Sequence, residues 1–464
     1  MTKRIDGFIN FCISEGITYE IEGLDKYAKD EMPGPKYFPH LVVKPVSTKE
    51  VSKIMQYAYD HDLPVTPRGL GTGLSGGALA VNGGVLLSTE RMDKILEIDE
   101  ENMVVVVQPG VITGQLQSAV SSRGLYYPVD PASLNSCSIG GNVVVNAGGA
   151  RAFKYGVTRN YVTGIEAVLP SGEIVHYGGK IFKNVVGYDI SQLIIGSEGT
   201  LAIVTEITLR LIPKPLYDLD LLIPFNNMDS AVKAISSIIH NKSMMPAVLE
   251  FMEHQGIMAC REVLKRELPF PESAVHVIVS LDGNDMDSLY NQAQVIQESL
   301  IEFGVVEDIL IADEPQMKKN LWSARRELLE TLKKISEDVE VEDIVVPKGR
   351  IADMIRHIER IAQKHAITLV PWGHIGDGNI HIGILRRGIT QQEWFQKVDS
   401  VAEELFDVCL SLGGQITAEH GIGLSKKRFM STAVSSETLE LMKSIKKTFD
   451  PKNILNPCKI FDFK

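Results

Sequence analysis

The spacing of hydrophobic residues changes near the middle of the chain. Between Leu41 and Leu211, short apolar runs are bounded by glycine, proline and other turn residues, a pattern typical of β-strands. The predicted strands are LVVKPV, LPVTPRG, GVLLST, MVVVVQPGV, NVVVNAGG, GIEAVLPSGEIVHYG and LAIVTEITLRLIP. Beyond Pro213-Lys214-Pro215, longer amphipathic helices such as RIADMIRHIERIAQKHA alternate with strands. The change predicts a domain boundary at this proline-rich segment.

The patterns together predict an α+β protein with three segments. Residues 1–37 form a helical lead-in, and residues 38–214 form a strand-rich domain with short intervening helices such as TKEVSKIMQYAYDHD. Residues 215–464 form an α+β domain that ends with the helix SETLELMKSIKKTF and a short tail.

Composition and charge narrow the class of protein. The formal net charge is −12, from 47 basic and 59 acidic residues, which argues against nucleic acid or an anionic membrane as a partner. The cysteines are Cys12, Cys137, Cys260, Cys409 and Cys458. They are far apart and include no CxxC pair, which argues against an iron–sulfur or cysteine zinc site. Their odd, sparse number fits a reducing compartment. With no signal peptide and no run of about 18 apolar residues, we expect a soluble, cytoplasmic protein without a membrane span.

Three glycine-rich loops occur in the strand-rich domain. The first, PRGLGTGLSGG at 67–77, contains a GxGxxG match, but the following GALAVNGGVLLS predicts a turn and a strand where a dinucleotide fingerprint needs a helix. Such a loop is typical of a backbone nest for a pyrophosphate, with a flexible surface loop as the alternative. The second is PASLNSCSIGGN with the following NAGGA, and the third is GSEGTLAIVT. Three such loops indicate a long, phosphate-bearing cofactor.

Two motifs in the last third of the chain concentrate histidine. In WGHIGDGNIH, a two-residue turn at Asp377-Gly378 would place His374 directly opposite His381, where two imidazoles can chelate one metal. The motif AEHGIG adds Glu419 and His420. Two histidines and a glutamate suit zinc, iron or manganese with open positions for substrate oxygens, and leave His420 as a base. The alternative is a structural histidine pair and an unrelated Glu-His.

These motifs resemble those of a known family. The segments PRGxGTGLSGG, SIGGN and SEGTLAIVT resemble the FAD domain of the vanillyl-alcohol oxidase/p-cresol methylhydroxylase superfamily, and HxGDGNxH and EHGIG resemble the motifs of its 2-hydroxy acid dehydrogenases. Within this superfamily the chain resembles the glycolate oxidase flavin subunit and D-lactate dehydrogenase branch, over about residues 38–461. The resemblance implies a two-subdomain p-cresol methylhydroxylase-type FAD-binding domain. An α+β substrate (cap) domain follows, with an antiparallel sheet, a C-terminal helical segment and a tail that contacts FAD.

The resemblance also implies how FAD is held. The first two loops would bind the pyrophosphate, and the third would lie against the adenine side. Members with covalent flavin often have a histidine in the first loop, where this chain has Thr72, so we expect non-covalent FAD. The cofactor-binding residues implied in this way are Pro67, Arg68, Gly69, Gly71, Thr72, Gly73, Leu74, Ser75, Pro131, Ser138, Gly140, Gly141, Asn142, Ala147, Gly148, Gly199, Ile203 and Asn456.

The implied chemistry is oxidation of a small 2-hydroxy acid, with D-lactate as the first candidate. His374, His381 and Glu419 would bind one divalent metal, and His420 would take the hydroxyl proton while hydride passes to flavin N5. Arg325 of the WxxR motif would bind the substrate carboxylate, whereas Arg326 fits a solvated helix face. Some relatives that take diacids have a basic residue in the strand before VP. Here that strand is the acidic VEDIV, which favours a monoacid.

Other functions stay open at this point. They are a flavin electron-transfer subunit without its own substrate chemistry, an oxidase that uses O2, an enzyme for phenols or lipid ethers, and a glycolate oxidase flavin subunit with an iron–sulfur partner. The histidine motifs argue against pure electron transfer, which needs no base. Since the chain shows no cysteine cluster, haem motif or nicotinamide fold, electrons would leave to a separate protein. The expected acceptor is an electron-transferring flavoprotein, as for the flavin subunit of the electron-bifurcating lactate dehydrogenase. In that enzyme, an electron-transferring flavoprotein couples lactate oxidation to NAD reduction and ferredoxin oxidation.

Overall fold

The computed structural model describes residues 2–265, 268–303, 305 and 308–463. Contacts divide the chain into two compact units. The first comprises Met1–Gly149, Val157–Lys214 and Glu419–Lys464, and the second comprises Ala150–Gly156 and Pro215–Ala418. The chain therefore enters the second unit twice, first for a short segment after the second glycine-rich loop and then after Lys214.

The helices are numbered in chain order. They are α1 (Thr2–Glu15), α2 (Thr48–Asp60), α3 (Thr113–Ser121), α4 (Ile139–Val145), α5 (Ala152–Tyr155), α6 (Ser191–Ile194), α7 (Met228–His240), α8 (His254–Leu264), α9 (Met286–Leu300), α10 (Pro315–Arg326), α11 (Leu328–Ile335), α12 (Ile351–His365), α13 (Gln391–Ser411), α14 (Met430–Ala433) and α15 (Ser436–Phe449). Short 3-10 helices span Leu24–Tyr27, Thr158–Asn160, Ile301–Phe303, Lys348–Arg350 and Lys427–Phe429.

The strands follow the same convention. They are β1 (Tyr19–Glu20), β2 (Leu41–Val43), β3 (Val65–Arg68), β4 (Val85–Ser88), β5 (Ile95–Asp99), β6 (Val104–Val107), β7 (Leu125–Tyr126), β8 (Val162–Val168), β9 (Ile174–Gly178), β10 (Ile203–Arg210), β11 (Ile212–Pro213), β12 (Tyr217–Phe225), β13 (Val248–Glu253), β14 (Val275–Gly283), β15 (Leu310–Ala312), β16 (Val339–Val345), β17 (Thr368–His374) and β18 (Asn379–Leu385).

The first unit contains two larger sheets and one small sheet in its described part. One has the order β1-β2-β4-β3, with β2, β4 and β3 parallel, and the other has the antiparallel order β5-β6-β10-β8-β9. Strands β7 and β11 form the small sheet. Helix α2 begins after Ser47, whose hydroxyl accepts the Glu50 N–H, and buries Val51, Ile54 and Met55 at helical spacing. This apolar face joins the main core of the unit.

The second unit is built on one antiparallel sheet. Its order in the described residues is β15-β12-β14-β13-β17-β18-β16. Helices α8, α10 and α11 share a core with its central strands, which include the buried Trp372. The antiparallel sheet and the C-terminal helices confirm the predicted α+β fold.

One predicted strand is wrong. Asn142–Val145 is predicted as part of a strand, but it forms the end of helix α4. The Ser138 hydroxyl caps this helix by accepting the Gly141 N–H at 3.3 Å, and Asn146 ends it in the left-handed conformation, with φ 58°. A good cap at each end outweighs the strand preference of three consecutive valines.

Candidate functional site

The first glycine-rich loop presents a row of backbone N–H groups. In the part of the chain that the structure describes, no N–H from Gly69 to Ser75 donates a hydrogen bond within the chain. The loop is partly exposed from Gly69 to Leu74, so a ligand can reach it. After Gly77 the chain forms turns and then β4, which confirms that this is not a dinucleotide fingerprint. A row of free N–H groups is an anion-binding feature.

Glycines let the three loops pack closely together. A methyl group on Gly69 would lie 2.5 Å from Ser138 Oγ, so the first and second loops touch there. Gly199 has φ 67°, and a methyl group on it would lie 2.8 Å from Pro67 Cγ, so the third loop touches the first. At both distances a neighbouring atom would have to shift to make room for a side chain. The structure therefore brings the three predicted loops together in the first unit.

Asn456 links the C-terminal segment to these loops. Its Nδ2 donates to the carbonyl oxygens of Gly77 at 3.0 Å and Glu198 at 2.8 Å, and its backbone N–H donates to Val65 O at 2.7 Å. Its Oδ1 is buried without a hydrogen-bond partner among the described residues. The contacts show how Asn456 positions the first and third loops.

Some predicted cofactor residues have their side chains in the protein interior. Asn142 Nδ2 donates to Thr113 Oγ1 at 2.7 Å, and Ile203 lies in the hydrophobic core. Arg68 is buried; its Nη2 donates to Lys26 O at 3.2 Å, and burial lowers the pKa of its guanidinium. Arg68 Nη1 has no hydrogen-bond partner in the described chain, so it can donate a hydrogen bond to a bound anion.

Glu419 and His420 belong to the first unit and lie beside its loops. A methyl group on Gly148 would lie 2.9 Å from Glu419 Oε2, and the His420 carbonyl accepts a hydrogen bond from Ser75 Oγ at 3.0 Å. A methyl group on Gly149, which has φ 142°, would lie 2.9 Å from Pro131 N. The EHGIG motif is thus built against the first and second loops.

The predicted register of the histidine hairpin is wrong. His374 pairs with Asn379, and His381 pairs with Trp372, so the two histidines are diagonal neighbours on one face. The turn has four residues because the Gly378 N–H donates back to His374 O at 3.1 Å, which makes a wider turn than the predicted two-residue one. The Asn379 N–H donates to Asp377 Oδ1 at 3.1 Å and stabilises this turn.

The two imidazoles nevertheless converge. The Nε2 atoms of His374 and His381 are 3.4 Å apart, and both side chains are buried in the second unit. Two nitrogen atoms that each lie about 2.1 Å from a tetrahedral ion are about 3.4 Å apart. The histidine pair therefore fits two ligands of one metal.

Glu250 joins His374 to Arg325, and sequence reasoning missed it. Glu250 is the Cα partner of His374 across β13 and β17, and its Oε1 contacts His374 Nδ1 while its Oε2 pairs with Arg325 Nη2. The residue is 1% exposed. Burial raises the pKa of the Glu250 carboxyl, but the charges of Arg325 and His374 outweigh burial and lower it. The sequence did contain a signal for Glu250, which is a carboxylate inside the apolar strand VLEFME. Such groups are rarely buried unless they are paired, so a charged partner could have been expected.

Asp343 is a second buried carboxylate that the sequence left without a role. It is fully buried, with Oδ1 accepting Asn379 Nδ2 at 2.7 Å and lying 3.6 Å from His381 Nδ1. Its Oδ2 accepts hydrogen bonds from Thr417 Oγ1 at 2.9 Å and from the Ala418 N–H at 3.0 Å. Asp343 thus orients the surroundings of His381 and anchors the residues that directly precede Glu419 in the chain.

The two arginines of the WSARR segment differ in environment. The Arg325 side chain is 11% exposed and pairs with Glu250. Arg326 is exposed, and its guanidinium carbon lies 5.2 Å from the centre of the Trp322 ring. Trp322 Nε1 donates to Asp220 Oδ2 at 2.7 Å, which fixes helix α10 against β12. Of the two arginines, Arg325 is therefore the one held beside the histidines.

Comparison with known proteins decides the family. The family model for the C-terminal domain of FAD linked oxidases matches residues 219–460, and the model for an FAD binding domain matches residues 39–178. The chain belongs to the FAD-linked oxidases. Glycolate oxidase subunit GlcD from Bacillus subtilis (strain 168) is 40% identical over 435 residues, covering 94% of this chain and 92% of that protein. D-lactate dehydrogenase from Anaerostipes hadrus is 36% identical over 427 residues, covering 91% and 89%.

A solved structure shows the same fold. The p-cresol methylhydroxylase structure with substrate bound aligns with a TM-score of 0.80 at 18% identity, over 99% of this chain and 97% of that chain. This FAD-linked oxidase is therefore a member of the vanillyl-alcohol oxidase/p-cresol methylhydroxylase superfamily, in the glycolate oxidase and D-lactate dehydrogenase branch. It is an FAD-dependent oxidoreductase.

The first unit of this FAD-linked oxidase fits FAD. The free N–H groups of the first loop suit a pyrophosphate, and the buried Arg68 Nη1 can add a positive charge. Among the described residues, no helix combines the length and the apolar character that a membrane span requires.

Proposed function

We propose that this FAD-linked oxidase is a dehydrogenase that converts a small 2-hydroxy acid, with D-lactate as the first candidate, to the 2-oxo acid. The main support is the contact of buried Glu250 with both His374 and Arg325. The hydroxyl and carboxylate of a 2-hydroxy acid are on neighbouring carbons, so their binding groups must also be neighbours. Relatives named glycolate oxidase subunit and D-lactate dehydrogenase support the same substrate class.

In this proposal the first unit holds FAD, which supplies the acceptor for the hydride from substrate C2. The N–H groups from Gly69 to Ser75 bind the pyrophosphate. Thr72 stands where related covalent flavoproteins have a histidine, so the flavin is bound without a covalent bond.

His374 and His381 would hold a divalent metal through Nε2, with Glu419 as the predicted third ligand. Such an ion would supply a positive charge near the substrate oxygens. Glu250 contacts His374 Nδ1, so this nitrogen can act as the donor and leave the Nε2 lone pair for the metal. Asp343 lies behind His381 as Glu250 lies behind His374, with its Oδ1 3.6 Å from His381 Nδ1.

Arg325 binds the substrate carboxylate, and His420 takes the proton of the hydroxyl. Arg325 has further N–H donors besides the one that faces Glu250, and planar guanidinium geometry matches a carboxylate. Glu250 orients Arg325 and lies at the same time against His374. The His420 imidazole would act as the general base that accepts the hydroxyl proton.

The test is anaerobic turnover with an artificial dye as acceptor. Purified protein should reduce the dye with D-lactate, less well with glycolate, and poorly with L-lactate and D-2-hydroxyglutarate. The acidic strand that contains Asp343 is the reason to expect poor use of the diacid. Turnover of a phenol but of no 2-hydroxy acid would contradict the proposal.

We propose further that the electrons pass to a separate protein, with an electron-transferring flavoprotein as the first candidate. None of the five cysteines forms a disulfide in the described structure, and four of them are buried, which supports an acceptor outside this chain. A flavin subunit of an electron-bifurcating lactate dehydrogenase fits this arrangement. The second candidate is a glycolate oxidase flavin subunit with an iron–sulfur partner. The 40% identical relative is named glycolate oxidase subunit GlcD, which supports the glycolate oxidase part of this candidate.

A further inference from the structure

The turn that follows His420 is bound by a buried carboxylate of the third glycine-rich loop. Glu198 Oε1 accepts the Ile422 N–H at 2.7 Å, and Glu198 Oε2 accepts the Gly423 N–H at 2.7 Å. Both oxygens of one side chain are thus used on two consecutive N–H groups. Charge-assisted bonds of this kind are among the stronger hydrogen bonds in proteins.

The same turn is also bound by Ser75 of the first loop. Its hydroxyl donates to His420 O at 3.0 Å, and its carbonyl accepts the Leu424 N–H at 2.7 Å and the Ser425 N–H at 3.3 Å. The His420 carbonyl and the N–H groups of the four residues from Ile422 to Ser425 therefore have fixed partners on two loops.

The glycines of the EHGIG motif are required by these contacts. Gly421 has φ 86°, and a methyl group on it would lie 2.9 Å from Glu198 Oε1. Gly423 has φ 48°, and a methyl group on it would collide with Ser75 O. Larger residues would push the turn away from both partners.

Glu198 is itself held rigidly. It is 8% exposed and adopts φ 54°, which is unfavourable for a residue with a side chain unless its surroundings enforce it. Its N–H donates to Val144 O at 2.7 Å, and its carbonyl accepts Asn456 Nδ2 at 2.8 Å. Because the backbone N–H and carbonyl of Glu198 both have fixed partners, its side-chain carboxylate can define the position of the turn that it binds.

We propose that Glu198 is a positioning residue for His420, and that it acts by binding the Ile422 and Gly423 N–H groups. The proposal rests on the function proposed above, in which His420 is the base. Glu198 touches neither the substrate nor the reacting atoms in this role. A misplaced base loses rate because proton transfer requires close alignment.

Glu198→Gln tests the proposal, because glutamine keeps the shape but replaces one acceptor oxygen by an NH2 group. Flavin reduction by saturating substrate, followed in a stopped-flow instrument, should slow about 10-fold or more, with FAD content and substrate KM unchanged. Glu206→Gln on strand β10, a partly exposed carboxylate of the same unit, is the matched control and should reduce at the wild-type rate. Equal slowing in both variants, or wild-type reduction in Glu198→Gln, would overturn the proposal.

The double variant separates positioning from a general structural effect. In the His420→Ala variant, flavin reduction should be about 100-fold slower than in the wild type. Adding Glu198→Gln to this variant should lower the rate of flavin reduction further by less than about 2-fold. A further 10-fold loss would show that Glu198 does not act through His420. A wild-type rate of flavin reduction in His420→Ala would show that His420 is not the base. Slow reduction in His420→Ala together with a wild-type rate in Glu198→Gln would contradict the positioning role of Glu198 alone.

If Glu198→Gln fails to retain FAD, Gly421→Ala tests the same contact from the turn. The added methyl group would lie 2.9 Å from Glu198 Oε1, so the turn and the Glu198 carboxylate would have to move apart. Slow reduction with full FAD content supports the proposal, and normal reduction overturns it.

Discussion

At the scale of single residues, this protein uses buried carboxylates to set the positions of other side chains. Glu250 faces both a histidine and an arginine, Asp343 lies beside the second histidine, and Glu198 binds a turn. Each is almost fully buried and each has several partners. Removing one partner would leave a buried charge unpaired, so mutations here should have larger effects than mutations of exposed charges.

The two neighbouring arginines offer a matched comparison. Arg325→Ala should raise the KM for the 2-hydroxy acid strongly, by about 100-fold, because a charge-assisted contact to the substrate carboxylate is lost. Arg326→Ala should change KM less than about 2-fold, since Arg326 is exposed against the Trp322 ring. Steady-state kinetics of both variants provide the measurement. The opposite order of the two effects would contradict the assignment of Arg325.

At the scale of elements, the β17–β18 hairpin should be a metal site. Protein prepared without chelator should contain about one equivalent of zinc, iron or manganese by elemental analysis. His374→Ala should lose the metal and the activity together. Full metal content and full activity in this variant would show that the hairpin histidines have only a structural role.

Glu250→Gln probes the support of that hairpin. The amide keeps the shape of the side chain but removes the charge that faces His374 and Arg325. We expect metal affinity to fall about 10- to 100-fold, the usual effect of losing a hydrogen-bonded carboxylate behind a ligand histidine. Metal titration of the apoprotein measures this, and an unchanged affinity would rule out such a role for Glu250.

Element patterns in the sequence predicted the strand-rich and helix-rich regions, but they failed where a local cap or turn overrode the pattern. Three valines indicated a strand, yet Ser138 starts a helix there. Asp377-Gly378 indicated a two-residue turn, yet a hydrogen bond from Gly378 back to His374 O widens it. Motif residues were recognisable from spacing, whereas Glu250 stands alone in its strand and gains its partners only when β13 pairs with β17.

At the scale of the whole molecule, the flavin should be releasable. Acid precipitation should leave all of the yellow colour in the supernatant, because Thr72 offers no imidazole for a covalent bond to the flavin. Absorbance of supernatant and redissolved pellet at the flavin maximum is the measurement. Colour that stays with the pellet would show a covalent attachment and contradict the role assigned to the first loop.

The electron acceptor can be sought in the native host. Purification of the untagged enzyme should recover an electron-transferring flavoprotein with it, and lactate-dependent NAD reduction should require that partner. An enzyme that reduces NAD without a flavoprotein partner, or that turns over rapidly with O2, would contradict this expectation. Recovery of an iron–sulfur protein instead would favour the glycolate oxidase alternative.

The division of the chain into units also bears on the order in which the protein can fold during synthesis. Strand β3 lies at the edge of its sheet, and Leu455 of the C-terminal segment forms a parallel bridge with Val65 on it. A ribosome delivers Leu455 only after it has made all of the second unit. The nascent first unit therefore waits with an unpaired strand edge, which is a common starting point for aggregation. Translation that stops before Glu419 would leave that edge permanently open.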